Sequence, residues 1–256
     1  MIVALYTSRK ILEALGVEDF GIFNVVGGII SLMSFINGSM SVATQRYLTY
    51  ELGRGTEGQF NKVFNMAVYI HAIIAVIVLI AAETVGVWFV NTQLNIPEVR
   101  MGAANWVFQA TILSALLGIL QTPYNAAIVS HEHMHVYAYV GLGETFAKLF
   151  IVLGLFYYPY DRLAVWGFAF FFIQLCSSLI YRFYCIKKFT NCALKRNTWD
   201  SQLAKSMLGF TGWNMFGTVA WTLKDQGASV LLNIFGGQAV NSARGVSGQV
   251  LSLIHI

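Results

Sequence analysis

Charge is scarce in this sequence. Only 11% of its 256 residues are Asp, Glu, Lys or Arg, while 57% are hydrophobic. Soluble domains carry about 25% charge, and a water-soluble fold with this composition could not cover its apolar residues with a polar exterior. Proline is scarce too, with three residues, of which Pro97 and Pro159 fall in polar connectors. Segments of alternating polarity are missing, which excludes a transmembrane barrel with its strands of about 10 residues. The three cysteines, Cys176, Cys185 and Cys192, lack a paired metal spacing and read as reduced thiols rather than as zinc ligands or a disulfide. In lipid, a chain without barrel strands must satisfy its backbone within helices. The expected fold class is therefore all-α, a polytopic transmembrane helix bundle.

What is present are apolar runs near the length of about 20 residues that a span needs. Expected spans are 1–15 (partial), 20–48, 64–90, 102–128, 136–158, 163–186, 206–234 and 240–254 (partial). Polar connectors separate them: Glu51 to Lys62 with Gly53, Gly55 and Gly58, Asn91 to Arg100 with Pro97, Tyr157 to Arg162 with Pro159, and a longer one from Lys187 to Lys205. Met1 leads directly into apolar residues without a basic leader, and Arg9 and Lys10 interrupt the run, so a cleavable signal is not expected. The first helix is expected to lack some N-terminal residues.

Basic residues select an orientation. Alternate connectors and span ends carry Arg46, Arg54, Lys62, Arg182, Lys187, Lys188, Lys195, Arg196 and Lys205, while the other set carries Arg100 and Arg162. The first set is expected to be cytoplasmic. Trp88, Trp106, Tyr157, Tyr158, Tyr160 and Trp166 then gather at the outer ends of the spans, where amphipathic rings anchor.

A weak repeat runs through the chain. Leu12-x-x-x-Gly16 followed by Val26-x-Gly28 matches Leu232-x-x-x-Gly236 followed by Val246-x-Gly248 at a constant offset. Two parallel copies would be related by an axis along the membrane normal. The expected organisation is a six-helix lobe over 1–190, a cytoplasmic linker over 191–205, and the start of a second lobe over 206–256.

Ionisable groups inside membrane helices are costly and mark function by default. The candidates are Arg9 and Lys10 in the first helix, Glu83 in the third, Glu144 and Lys148 in the fifth, Lys224 and Asp225 with Gln226 in the seventh, and Arg244 in the eighth. Plainer roles stand beside these. Glu144 and Lys148 are spaced i,i+4 and can pair with each other, Lys10 and Lys148 can snorkel, and Glu83 can sit at headgroup level. The second span is rich in small and polar residues, among them Gly27, Gly28, Ser31, Ser34, Asn37, Gly38, Ser39, Ser41 and Thr44. Small-x-x-x-small pairs there permit close helix approach, and the same face could line a wet cavity.

Three motifs carry little weight. His131-Glu132-His133-Met134-His135 matches H-E-x-x-H, but it falls at a connector and no third ligand is visible, so a polar interfacial loop explains it more simply than a metalloprotease. Gly141-x-Gly143 is too short for a nucleotide fingerprint, and no phosphate-binding loop occurs. The basic stretch from Lys187 to Lys205 suits anionic lipid rather than nucleic acid.

Several stretches resemble Wzx-like polysaccharide flippases of the multidrug/oligosaccharidyl-lipid/polysaccharide exporter superfamily. They are Leu5-Tyr6-Thr7-Ser8-Arg9, the run from Ala14 to Gly28, Asn37-Gly38-Ser39-Met40-Ser41 and Ala43-Thr44-Gln45-Arg46-Tyr47. The likeness continues through Ala104-Asn105-Trp106-Val107-Phe108-Gln109, Pro123-Tyr124-Asn125-Ala126, Ser130-His131-Glu132 and Gly212-Trp213-Asn214, and it closes on Asn241-Ser242-Ala243-Arg244-Gly245. After Gln249 the sequence leaves the pattern, and this tail is expected to be non-native.

The resemblance implies a MATE-like bundle of two six-helix lobes around a cavity, with about seven to eight spans in this chain. It implies a non-enzymatic transporter in the bacterial plasma (inner) membrane that flips undecaprenyl-pyrophosphate-linked oligosaccharide, an O-antigen or capsule repeat unit, to the outer leaflet. No cofactor is implied beyond coupling to a cation or proton gradient. Implied partners are the lipid-linked glycan, membrane lipids, a polysaccharide polymerase and glycosyltransferases, with no nucleic acid. Arg9, Lys148, Lys224 and Arg244 could bind the pyrophosphate, since cationic side chains match its charge. Glu144, Asp225 and Asn37 could balance that charge or couple transport. The alternatives are a drug or cation antiporter of the same superfamily, the intramembrane metalloprotease on His131, Glu132 and His135, and a non-transporting scaffold.

Overall fold

The computed structural model describes residues 2–31, 34–94, 96–157, 161–194 and 199–220. The described residues are dominated by helices and contain no strand. The helices are α1 (Ile2–Ser31), α2 (Ser34–Gly53), α3 (Phe60–Ala81), α4 (Val87–Thr92), α5 (Glu98–Ser130), α6 (His135–Leu155) and α7 (Arg162–Lys188). A further helix among the described residues, α8, covers 201–220. The π-helical turn Ala82–Gly86 joins α3 to α4, so the two form one rod over Phe60–Thr92. Four rods are long and apolar enough to cross a membrane: Phe60–Thr92, Glu98–Ser130, His135–Leu155 and Arg162–Lys188.

Expected and observed boundaries agree within a few residues along this part of the chain. The break expected between the first two spans falls at Gly16, whose φ of 80° and ψ of 168° lie where only glycine is at ease. α1 is thus two helices, 2–15 and 17–31, meeting at a bend. The expected span 206–234 begins earlier, within α8, because Asp200 accepts hydrogen bonds from the backbone N–H groups of Gln202 and Leu203 and caps the helix start. The span expected over 240–254 lies outside the described residues.

α5 sits at the centre, packed against α7, α2, α3 and α1, while α6 lies on α7 and α1. Two glycines let helices approach closely. A Cβ at Gly167 on α7 would stand 3.0 Å from Val107 Cγ2 and 3.2 Å from Val107 Cα on α5, and one at Gly86 would meet the Phe108 ring at 2.7 Å. Close backbone approach of this kind drives helix association where lipid removes the hydrophobic contrast.

The two ends of the bundle are fastened differently. At the end where α7 finishes in Lys187 and Lys188, here the basic end, Phe64, Leu48, Tyr124, Ile128 and Tyr181 form a buried cluster. The chain leaving α7 is tied down there. Asn61 Nδ2 donates to the carbonyls of Asn191 (2.8 Å) and Ala193 (2.7 Å), and Lys62 Nζ pairs with Asp200 at 2.6 Å. α8 then meets α2: the Tyr47 and Ser206 hydroxyls lie 2.6 Å apart, and the Arg46 guanidinium covers the Phe210 ring at 4.3 Å. Ala204 and Met207 are buried in that contact, whereas Trp213 and Phe216 further along α8 are exposed.

At the opposite end one arginine joins three helices. Arg100 at the start of α5 donates from Nε and Nη2 to the Asp19 carboxylate on α1, and from Nη1 to Asp161, the N-cap of α7, at 3.0 Å. Its neighbour in this network, Arg162, donates to the Ala14 carbonyl at 3.1 Å, next to the Gly16 bend.

Candidate functional site

A polar seam runs through the bundle between α2, α5, α6 and α7. On α7, Phe170, Gln174, Ser177 and Tyr181 follow one another at i+4, i+3 and i+4, which aligns them on a single helical face. Gln174 Nε2 donates to Gln121 Oε1 on α5 at 3.1 Å, and the Ser177 hydroxyl donates to Glu144 on α6. Next to Gln121, the Thr122 hydroxyl lies 2.6 Å from Asn37 Oδ1 on α2 and 3.0 Å from the Gly118 carbonyl. One turn on, the Tyr137 hydroxyl donates to the Asn125 carbonyl at 2.9 Å, and its ring packs against Tyr181. Side-chain amides, hydroxyls and a carboxylate therefore connect laterally between α2 and three rods of membrane-crossing length, where an unsatisfied polar group would be costly.

Three expected site residues sit along this seam. Asn37 and Glu144 are held as described. Lys148, one turn from Glu144, places its ammonium 5.5 Å from the centroid of the Phe170 ring, which in turn contacts Phe23 edge-on. The i,i+4 ion pair that the spacing allows between Glu144 and Lys148 is not formed. Glu144 turns toward the Ser177 hydroxyl across the helix interface, and the longer lysine reaches an aromatic face.

Arg9 occupies a separate place. Its side chain is 79% exposed, and its Nε lies 3.1 Å from Glu13 Oε1. Glu13 also holds Lys10, at 2.6 Å from Nζ, and the same ammonium lies 5.8 Å from the Tyr6 and Phe156 rings. The sequence reading did not single out Glu13, although its i,i+4 relation to Arg9 was the available signal. Lys224, Asp225 and Arg244 lie outside the described residues. Glu83 sits in the π-helical turn and accepts from Gln109 Nε2 at 3.1 Å, an exposed contact.

The H-E-x-x-H stretch does not lie on one helix. α5 ends at Ser130, Glu132 adopts a left-handed φ of 62°, and α6 starts at His135. His131 stacks on Phe189 with ring centroids 3.9 Å apart, and His133 Nδ1 hydrogen-bonds the Tyr184 hydroxyl at 2.7 Å. Desolvation, aided by the charges of His135, Lys188 and His131, holds the His133 imidazole below its ordinary pKa. Among the described residues no three His, Cys, Asp or Glu side chains are grouped to hold a metal. Cys185 and Cys192 are buried free thiols of the basic-end cluster, and Cys176 is an exposed one.

Sequence reasoning missed Gln121, Thr122, Gln174 and Ser177. Each is uncharged, and a search for intramembrane charge passes over such residues; the heptad-like spacing on α7 was the signal that could have found two of them. Set against protein families, curated proteins and solved structures, the chain matches none of them.

Proposed function

We propose that this chain is the first lobe, and the opening of a second, of a flippase that carries polyprenyl-pyrophosphate-linked oligosaccharide from the inner to the outer leaflet of a bacterial plasma membrane. The observation that carries the reading is the polar seam that links Asn37 on α2 with Thr122, Gln121, Gln174, Ser177 and Glu144 on three helices of membrane-crossing length. A flipped lipid needs its headgroup to cross the apolar layer while its tail stays in hydrocarbon. Groups able to hydrogen-bond sugars are then needed between the helices within the apolar layer. Pyrophosphate needs cations as well, and Arg9 and Lys148 are positively charged groups on α1 and α6 able to meet it. Lys224 and Arg244 would complete that surface from the second lobe.

The contact of α2 with α8 fits alternating access. Among the described residues it is made at the basic end, through Arg46, Tyr47, Ser206 and Phe210, and beyond it α8 presents Trp213 and Phe216 to the exterior of this lobe. On this reading the basic end is cytoplasmic, α2 and α8 part there when the cavity opens inward, and a MATE-like pair of lobes with seven to eight spans in this chain rocks about the site.

The test uses the complete protein in a strain whose own glycan flippase is deleted. Restored surface glycan, lost in Arg9→Gln and in Lys148→Gln while membrane insertion persists, supports the reading. Normal export in both variants contradicts it. The antiporter alternative draws on one specific feature, the Glu144 carboxylate that no lysine or arginine neutralises among the described ion pairs, since a carboxylate can carry a proton or cation. Drug efflux by the complete protein, with no glycan export, would select it.

A further inference from the structure

One face of α7 near the basic end is apolar along its length and cationic at its tip. Leu179, Ile180, Phe183, Tyr184, Lys187 and Lys188 line a groove of about 660 Å³. Their spacing of i, i+1, i+4, i+5, i+8 and i+9 puts all six on the same stripe of the helix. Leu179, Ile180 and Phe183 are at least half exposed in this bundle. At the tip, Lys187 Nζ lies 5.7 Å from the Phe183 ring centroid, and the Tyr184 hydroxyl is fixed by His133 Nδ1 at 2.7 Å. No carboxylate is among the described lining residues.

The dimensions match one leaflet. From Leu179 to Lys187 the helix rises about 12 Å at about 1.5 Å per residue. Half of a hydrocarbon core about 30 Å thick is about 15 Å. An acyl chain lying along Leu179, Ile180 and Phe183 therefore brings its phosphate to the level of the two ammonium groups. With α7 across a bilayer a soluble protein cannot reach the apolar wall, a second copy of the chain would oppose lysines with lysines, and a free phosphate has no use for the wall.

We infer that the α7 groove binds an anionic phospholipid of the leaflet at the basic end, with its phosphate on Lys187 and Lys188 and one acyl chain along Leu179, Ile180 and Phe183. The assignment rests on the membrane-spanning character of α7 and is independent of the glycan flippase reading. Both lysines lie in the last helical turn, where they also offset the negative end of the helix dipole, so the groove keeps a cationic mouth despite that dipole.

The complete protein, purified in detergent micelles doped with phosphatidylglycerol or with zwitterionic phosphatidylcholine, gives the test by native mass spectrometry. Phosphatidylglycerol is expected to be retained over phosphatidylcholine, and Lys187→Gln/Lys188→Gln to reduce its retention about tenfold or more, each lysine near a membrane surface adding appreciable attraction for anionic lipid. Neutralising an equal number of basic residues elsewhere, Arg54→Gln/Lys205→Gln, is expected to leave it unchanged, and excess inorganic phosphate is expected not to displace the lipid. An equal loss in the two double variants, equal retention of the two lipids, or displacement by phosphate alone overturns the inference. Because all four side chains are exposed, elution of each variant as a monodisperse peak separates loss of binding from loss of folding.

Discussion

Glu144 on α6 accepts its hydrogen bond from Ser177 on the neighbouring helix and not from Lys148, one turn along its own. The carboxylate thus points into the α6–α7 interface while the nearest intrahelical cation rests on Phe170. This cross-helix contact ties the polar seam together, and removing it has a defined consequence. Ser177→Ala takes away the donor and leaves the carboxylate in place. Interhelical hydrogen bonds in membrane proteins contribute about 0.6 kcal/mol on average and up to about 1.7, so a loss of about 1 kcal/mol in detergent unfolding is expected. Export by the complete protein should fall much further, because the seam is interrupted at its carboxylate. Unfolding of Ser177→Ala at the parental denaturant midpoint would remove the contact from the account.

The close approach of α7 to α5 at Gly167 sets a second prediction. Gly167→Leu forces a side chain into the space occupied by Val107, where even a Cβ stands 3.0 Å from Cγ2. Overpacking typically costs about 1–3 kcal/mol, and at a backbone contact the upper half of that range applies. Thermal denaturation in detergent should show a clear drop. Gly209→Leu, where a Cβ meets nothing within 4 Å, serves as the control and should be near neutral.

Arg100 holds Asp19 and Asp161 together, and Asp19 is buried. Arg100→Met strands the Asp19 carboxylate. Removing one partner of a buried ion pair costs about 3–5 kcal/mol, and the partial exposure of Arg100 places the expectation at the lower end. Asp19→Asn in the Arg100→Met background removes the stranded charge and should recover part of the stability. A double variant no more stable than Arg100→Met would mean that the pair does not hold α1 to α5.

The tie between Lys62 and Asp200 carries a pH dependence. The ammonium, with the backbone N–H groups of Leu203 and Gln202, holds the Asp200 carboxyl below its ordinary value of 3.8. A depressed carboxylate stabilises the fold above the unfolded pKa, and the contribution is lost as pH falls through the folded one. Protease cleavage in the connector ahead of α8 should therefore be unchanged between pH 7 and pH 5, by about this linkage, and should rise only in stronger acid. Asp200→Asn should raise cleavage at neutral pH and flatten its acid dependence. A steep rise already near pH 6 would contradict this assignment to Asp200.

Much of the architecture was legible in the sequence because lipid imposes a simple code. Scarce charge and long apolar runs marked the rods, and the break at Gly16 was readable because a glycine before a polar pair has a plain conformational use. The α7 boundaries were legible from the polar connector Tyr157 to Arg162 with Pro159 and from the terminal lysines. What stayed hidden depends on lateral contact. Nothing in the i,i+4 spacing of Glu144 and Lys148 says that the carboxylate prefers Ser177, since that choice is made by a helix distant in sequence. Arg100 read only as one of two outer basic residues, with Arg162, because its partners, Asp19 and Asp161, lie far away along the chain on either side. The neutral members of the seam, Gln121 and Gln174, look like ordinary tolerated polar residues until the two helices are brought together. Arg9 was legible as a candidate, whereas its tether to Glu13 was available from the spacing and passed unremarked.

The measurement closest to the central claim is a leaflet assay on the complete protein in proteoliposomes loaded with a labelled polyprenyl-pyrophosphate oligosaccharide. A membrane-impermeant lectin or glycosidase added outside reports the fraction of glycan that has crossed. Under the proposed flippase function, transfer well above protein-free vesicles is expected, reduced about tenfold or more by Glu144→Gln or Arg9→Gln, a change of about 1.4 kcal/mol or more in the transport barrier. Transfer no faster than in empty vesicles, or transfer indifferent to both substitutions, would contradict it.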